Sequence, residues 1–340
     1  AVIGVSDYAN IFATNNLTLA RNGSNIGGVA ADSALVVNGA AVTLVYVDAT
    51  KGWIVTDSGL QSDASELKLY VTATGGTITC SGDYRIHTFT GPGTFCVSCA
   101  GNPAGSTTTD YLVVAGGGGG SAGGSAPTTN GGGGGGAGGY RESSGTASGS
   151  YTVSPLGACV SALPVSVQGY TITVGGGAPT TANSIPKQGA NGSNSVFSTI
   201  TSTGGGGAGC GSNNSPTNPA TGFPGGSGGG TGWGPSPTCR PGGAGNTPPV
   251  SPPQGQPGGS NISGNGSGGG GGGATQAGTN ASGPTVGKPG GDGATSSINA
   301  TPTARAGGGG GGRWSSGCAS AGGAGGGGAG GVCSPGTAGT

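Results

Sequence analysis

Tyr111-Leu-Val-Val-Ala-Gly-Gly-Gly-Gly-Gly120 is the stretch on which the fold turns, because two kinds of sequence meet inside it. Of the 89 glycines in the 340 residues, 14 lie in residues 1–114 and 75 in residues 115–340. Glycine therefore makes up about a third of the longer part, against roughly 7% in ordinary globular chains. It recurs as tracts at Gly116–Gly120, Gly131–Gly139 (broken by Ala137), Gly175–Gly177, Gly204–Gly209, Gly225–Gly230, Gly268–Gly273, Gly307–Gly312 and Gly322–Gly331. The spacers between them are rich in Pro, Thr, Ser and Asn, which make turns and local side-chain to backbone hydrogen bonds. Helix is disfavoured, because Gly costs about 1 kcal/mol and Pro about 3 kcal/mol per helical position. Collagen is excluded by the absence of a G-X-Y period.

Eight tracts of similar length point to an ordered lattice of left-handed, three-residue-per-turn polyglycine II helices. A polyproline II backbone makes no internal hydrogen bonds, so its N–H and C=O groups point outward. With Gly at every position, neighbouring tracts approach closely enough to bond laterally, helped by Cα–H···O contacts. The opposing term is the entropy of ordering Gly, at the upper end of about 1–2 kcal/mol per residue. Large apolar residues are too sparse here for burial at roughly 25 cal/mol per Å² to offset it, so lateral bonds and covalent staples must.

Upstream of Ala115 the pattern is β. Asn16–Arg21, Ala34–Val37 and Ala41–Val47 alternate apolar and polar residues, with turn signals at Asn22-Gly23-Ser24-Asn25 and Asn38-Gly39. Asn-Gly between such runs predicts a hairpin. Trp53–Val55 and Glu66–Thr74 read as further strands, and Arg85–Thr90 with Thr94–Cys99 as a hairpin about Gly91-Pro92-Gly93. The expected organisation is a β-rich assembly or attachment module at 1–74, a β-hairpin segment at 75–115 and a glycine-rich domain at 116–340. The fold class is an all-β N-terminal part followed by a polyglycine II-like lattice with little or no α-helix.

The chain has 10 basic and 10 acidic residues, but residues 1–114 carry a net −4 and the remainder +4. Neither part has the charge density that nucleic-acid binding by counterion release requires. The longest apolar runs, such as Ala41–Val47, fall far short of the ~20 residues of a membrane span. No signal-peptide pattern is read at the start. Gly287-Lys288 is followed by Pro289 and lacks the preceding Gly of a P-loop, and G-x-G-x-x-G is unavoidable in poly-Gly. His87 sits in a strand with no nucleophile motif near it. Cys96-Val-Ser-Cys99 has no second CxxC to complete a zinc site. We therefore expect no enzyme activity, no cofactor and no metal.

Recognition residues are the better candidates. Trp, Tyr and Arg dominate binding hot spots, and Tyr140, Arg141, Phe223, Trp233, Arg240, Arg313 and Trp314 stand out in the glycine-rich part. The bland alternative is that the aromatic residues seal an edge of the lattice. Variable contact loops are expected in the spacers Pro235–Pro257 and Gln276–Arg305. Cys80, Cys96, Cys99, Cys159, Cys210, Cys239, Cys318 and Cys333 form an even set. Cys210 with Cys239, and Cys318 with Cys333, each enclose one glycine tract and are the expected local disulfides. N-x-[ST] sequons at Asn16, Asn22, Asn191, Asn213, Asn261, Asn265, Asn280 and Asn299 are candidate glycosylation sites.

Several ordered motifs carry a family resemblance. Cys80-Ser-Gly-Asp-Tyr-Arg-Ile-His-Thr-Phe-Thr-Gly-Pro-Gly-Thr-Phe95, Asp110–Gly120, Gly131–Arg141, Tyr170–Gly177, Asn191–Phe197 and the run around Arg313-Trp314 resemble the glycine-rich domain of phage tail-fibre and tail-associated proteins, over about residues 75–335. Asn16–Asp57 is similar to short β modules of phage fibres, and the lattice to the polyglycine sandwich of T-even-like tail-tip adhesins. The resemblance implies a non-enzymatic structural protein on a virion surface or outside the cell, assembled with copies of itself as a trimer or polymer. It implies loops displayed to a host cell-surface glycan or protein. The alternative is a subunit of an extracellular filament or pilus-like fibril, polymerised through its β segment.

Overall fold

In the first unit the chain crosses itself at Gly52. Its φ is +68°, and a Cβ there would run into the Asn25 backbone, so only glycine lets the chain pass while Trp53 N–H donates to Asn25 C=O (2.8 Å). The computed structural model describes residues 1–60, 68–122, 131–145, 151–157, 160–179, 187–211, 220–234, 240–261, 266–282, 287–313, 320–331 and 336–340. It divides into two compact units, Ala1–Lys68 and Leu69–Thr340.

In the first unit, β1 (Val2–Ser6), β4 (Ala40–Asp48) and β5 (Gly52–Leu60) form an antiparallel sheet in the order β1-β4-β5, while β2 (Leu17–Leu19) and β3 (Ser33–Leu35) pair separately. Asn38-Gly39 therefore does not close the expected hairpin between the runs that flank it. Gly39 N–H donates to Asp7 Oδ2 (3.0 Å) and Asn38 Oδ1 accepts from Ala13 N–H (2.7 Å), which turns the chain towards Asp7 instead. Asp7 also accepts from Ile11 and Phe12 N–H. Burial pushes its pKa up, but these and further backbone donors outweigh that and hold the carboxyl below the ordinary Asp range. Cross-strand register puts Val2, Val45 and Ile54 in one row and Ile3, Leu44 and Val55 in the next; successive rows face opposite sides of the sheet. Both faces are thus apolar, yet among the described residues only Ala40 and Leu44 are buried apolar side chains in this unit.

The second unit starts with a five-stranded sheet, order β16-β15-β14-β9-β6. Its strands are β6 (Val71–Thr74), β9 (Gly93–Ala100), β14 (Gly169–Thr173), β15 (Ser195–Phe197) and β16 (Ile200–Ser202). Because β6 pairs with β9, the boundary between units falls ahead of the 74/75 position read from sequence. The hairpin expected between Arg85–Thr90 and Thr94–Cys99 is likewise replaced. β8 (Tyr84–Thr88) pairs with β7 (Thr77–Ser81) across Gly82, and β9 is drawn into the sheet by Phe95 and Val97. Phe95 meets Phe197 edge-on at 5.8 Å and His87 at 5.1 Å, inside a core that includes Tyr111, Val113, Tyr170, Ile172 and Ile200. Short pairs complete the strands: β10 (Thr108–Thr109) with β13 (Leu163–Pro164), β11 (Leu112–Val114) with β12 (Tyr140–Glu142), and β17 (Ala294–Ser296) with β18 (Thr303–Arg305). Among the described residues the sole helical element is a 3-10 turn at Pro155–Gly157.

The glycine tracts form a laterally bonded lattice, with hydrogen bonds repeating every third residue. The tract 131–139 is the clearest case. Gly131, Gly134 and Ala137 N–H donate to Gly266, Gly269 and Gly272, whereas Gly133, Gly136 and Gly139 donate to Gly209, Gly206 and Thr203. Its carbonyls accept from Ala115, Gly118 and Ser121, from Ser227, Gly230 and Trp233, and from Gly309 and Gly312. One tract thus bonds to five neighbours, which three outward-pointing columns of donors and acceptors permit. No glycine in the tracts from 116–120 to 307–312 has a positive φ. Glycine is needed here for close approach rather than for unusual backbone angles: a Cβ on Gly134 would strike the Gly309 carbonyl, and one on Gly118 the Gly206 carbonyl.

Candidate functional site

The direction of each tract follows from whether partner numbers rise together or oppositely. Gly131, Gly134 and Ala137 bond to Gly266, Gly269 and Gly272 in rising order, so 131–139 and 266–273 run parallel. Gly133, Gly136 and Gly139 bond to Gly209, Gly206 and Thr203 in falling order, so 203–209 runs the other way. Applied through the lattice, this rule makes successive tracts alternate. The chain leaves one end at 122, 179, 211, 234, 261, 282, 313 and 331, and re-enters there at 131, 187, 220, 240, 266, 287, 320 and 336. Eight connections therefore leave from a single end. The opposite end is closed by the β pairs and short turns, with Tyr140, Ala274 and Ala294 packed against Leu112, Val114, Leu156 and Ala306.

This sorts the recognition candidates into two groups. Tyr140 belongs to the closed end and is 1% exposed, leaving it no surface for a partner. Its hydroxyl donates to Glu142 Oε2 (3.0 Å), which also accepts from Ser154 N–H (3.0 Å). Burial, reinforced by the nearby Glu142, pushes the Tyr140 pKa well above the usual tyrosine range, against a lowering from Ser154. Arg141 lies in β12 at the same end, with its guanidinium 3.4 Å from Thr201 O. Phe223 sits part-way along the lattice, where its N–H donates to Gly207 C=O.

Trp233, Arg240 and Arg313 stand at the loop-bearing end, where Trp233 and Arg240 are half-buried and Arg313, 6% exposed, is buried. Trp233 N–H donates to Gly131 C=O (2.9 Å), and the neighbouring Gly132 C=O accepts from Gly312, the residue before Arg313. The Arg240 guanidinium lies over Gly234, where a Cβ would meet its Cζ at 2.7 Å, and Arg240 bridges to Asn261. Sequence reading missed two cations here. Lys288, 9% exposed, accepts through its carbonyl from Gly311 N–H, and Lys187 through its carbonyl from Ala122 N–H. Their signal was positional: each opens a tract directly after a loop. Trp314 lies outside the described residues.

The edge of the lattice has its own device. Gly207 and Gly204 N–H donate to the side-chain carbonyls of Asn191 (2.8 Å) and Asn194 (2.9 Å). Two Asn three residues apart thus stand in for a missing tract. Of the sequons, Asn261 is 1% exposed, and Asn191 and Asn280 spend their side-chain oxygens on backbone donors; Asn213 and Asn265 lie outside the described residues. Cys80, Cys96 and Cys99 carry free thiols and Cys210 is fully buried. Cys159, Cys239, Cys318 and Cys333 fall outside the described residues, and both expected disulfides with them. At the closed end, a cavity of about 10 Å³ beside Tyr111, Glu142 and Leu156 has room for roughly one water. Among the described residues no three His, Cys, Asp or Glu side chains are grouped to hold a metal.

No curated protein and no solved structure matches the chain. A family model described as a glycine-rich domain matches residues 89–340, the span that holds β9 and every tract of the lattice, and so the chain belongs to the glycine-rich domain family.

Proposed function

We propose that the chain is a non-enzymatic tail-fibre or tail-tip protein of a virion, which displays loops for recognition of a host cell surface. The observation that carries this reading is the single loop-bearing end: a rigid lattice that sends eight polar connections to one face is built to present them. The closed end, the buried Tyr140–Glu142 pair and the sparse titratable groups support display rather than chemistry. On this reading the protein works on a virion surface or outside the cell, with a cell-surface glycan or protein as its partner.

The test is attachment of the labelled full-length chain to a panel of bacterial cells. Replacing residues 123–130 and 212–219 by Gly-Ser linkers of equal length is expected to abolish attachment while leaving the melting temperature unchanged. Attachment that survives both replacements refutes the reading.

A second reading, the filament subunit, is favoured by one specific observation. The β1-β4-β5 sheet is apolar on both faces, with Val2 68%, Val47 51% and Val55 51% exposed; an antiparallel sheet normally leaves only one face to water. Copies of the same chain would cover those faces. Negative-stain images separate the two: discrete short particles fit a fibre tip, and long polymers fit a filament.

A further inference from the structure

Beside the last turn of the lattice lies an open cavity of about 300 Å³, against about 10 Å³ for the one beside Tyr111. It belongs to the closed end, away from the eight connections. Val114 at the end of β11 and Ala304 in β18 form part of its wall, and Ala306, Gly325, Gly326 and Thr340 complete it together with Arg305. A space of this size, at the small end of the range for ligand pockets, suits a single sugar ring.

The backbone around the cavity departs from that of the tracts. Ala306, Gly325 and Gly326 have φ of +63°, +94° and +96°, values that the tracts from 116–120 to 307–312 do not use and that an Ala adopts only at a cost. Residues held in this way cluster where ligands are clamped. The three carbonyls are spent inside the fold: Ala306 C=O accepts from Ala274 N–H (3.0 Å), Gly325 C=O from Gly307 N–H (3.0 Å) and Gly326 C=O from Thr340 N–H (2.9 Å). The three N–H groups donate to no acceptor among the described residues. A Cβ on Gly325 would lie 2.8–3.0 Å from the Arg305 backbone, so only glycine lets this turn close against β18.

The lining suits a neutral acceptor beside a methyl group. No Asp or Glu lines the cavity. Arg305 Nη1 donates to Thr303 C=O (3.3 Å), so the guanidinium is held by its own strand and the site does not depend on its charge. Val114, Ala304 and Ala306 offer aliphatic surface, and the N–H groups of Ala306, Gly325 and Gly326 offer donors. An acetamido group carries a methyl and a carbonyl oxygen on one carbon, and so matches both.

We infer that this cavity binds an N-acetylated sugar, with the acetamido methyl against Val114, Ala304 and Ala306 and its carbonyl oxygen on the N–H groups of Ala306, Gly325 and Gly326. The inference goes beyond the loop-display reading and does not rest on it, since it places a separate glycan contact at the end opposite the connections.

The test is saturation-transfer NMR on the full-length chain with three probes: methyl N-acetyl-β-D-glucosaminide, methyl β-D-glucoside and sodium acetate. Saturation is expected on the acetamido methyl of the first, with the glucoside bound roughly tenfold more weakly, as loss of one or two hydrogen bonds gives. Ala304→Phe fills the cavity and is expected to abolish the signal. Thr340→Phe narrows the mouth from an exposed position and is expected to weaken binding, which keeps the inference testable where Ala304→Phe fails to fold; the melting temperature of each variant reports its fold. Equal binding of glucoside and glucosaminide overturns the inference, as does absence of saturation on either sugar or binding that neither variant alters. Acetate bound as tightly as the glucosaminide assigns the site to an anion and overturns it too. The linker replacements at 123–130 and 212–219 are expected to leave this signal unchanged. A chain that attaches to cells yet shows no saturation sinks this inference and spares the loop-display reading. A chain that shows saturation and attaches to no cell does the reverse.

Discussion

Gly134→Ala and Gly176→Ala are the same chemical change at two places in the lattice, and their outcomes should have opposite signs. An added Cβ at Gly134 would lie 2.6 Å from the Gly309 carbonyl carbon and 2.9 Å from Gly271 N. Ordinary carbon contacts need about 3.5 Å or more, so the tracts must separate by roughly 1 Å. Gly309 N–H to Gly135 C=O (2.9 Å) and Gly312 N–H to Gly132 C=O (2.8 Å) then stretch beyond hydrogen-bonding range. Four buried polar groups lose their partners, at about 1 kcal/mol each from the low end of the range. Restricting the unfolded chain returns about 0.4–1 kcal/mol, leaving a net loss of about 3 kcal/mol. For a unit of this size that is a fall in melting temperature of roughly 6–12 °C. At Gly176 nothing lies within 4 Å of the added Cβ, so only the unfolded-state term remains and the melting temperature should rise by roughly 1–3 °C. Scanning calorimetry on both variants, with amide exchange at Gly309 and Gly312, measures the difference. Equal shifts, or a Gly134→Ala protein as stable as the parent, would refute close approach as the reason for glycine.

Replacing Asn191 and Asn194 together by Ala removes the acceptors for Gly207 and Gly204 N–H; a loss of about 2 kcal/mol is expected, with faster exchange at those two amides and little change elsewhere. Asp7 titrates below its ordinary range when folded, so its contribution is present above the unfolded value of about 3.9 and disappears as pH falls through the folded one. Asp7→Asn should therefore weaken residues 1–60 at neutral pH, followed by Trp53 fluorescence in urea, and the gap to the parent should close below about pH 4. Reductant should lower the melting temperature of the lattice and leave residues 1–60 unaffected, since a bridge from Cys318 to Cys333 would close a loop worth about 3 kcal/mol; mass spectrometry finding every thiol free in the native protein would rule out the staples.

The lattice was legible because poly-Gly has few ordered alternatives, and the three-residue period follows from the backbone alone. Strand partners were not. Asn38-Gly39 carries the usual hairpin signal, but Asp7, more than 30 residues away, captures the Gly39 amide; local pattern cannot register so distant an acceptor. The Gly91-Pro92-Gly93 turn lost in the same way: β8 pairs with β7, and Phe95 packs against Tyr170 and Phe197 from the neighbouring strands of the sheet. Residue type put Trp233, Arg240, Arg313 and Tyr140 on one footing as recognition candidates, and only tract direction separates them, placing Tyr140 at the closed end. The place of Lys187 and Lys288 at the loop-bearing end was not legible either, because the first cation after a loop has no meaning before the tracts are known to alternate.

Where most lateral bonds join one backbone to another, the scaffold depends little on what its connections say. A connection can be lengthened, shortened or rewritten without removing a bond of the tract 131–139, and each doubling of loop length adds only about 0.6 kcal/mol of closure entropy. On the loop-display reading, ligand preference and thermodynamic stability would reside in separate, interleaved parts of one gene product. On the same reading, such a chain would change what it adheres to by exchanging short segments while the tracts stay as they are.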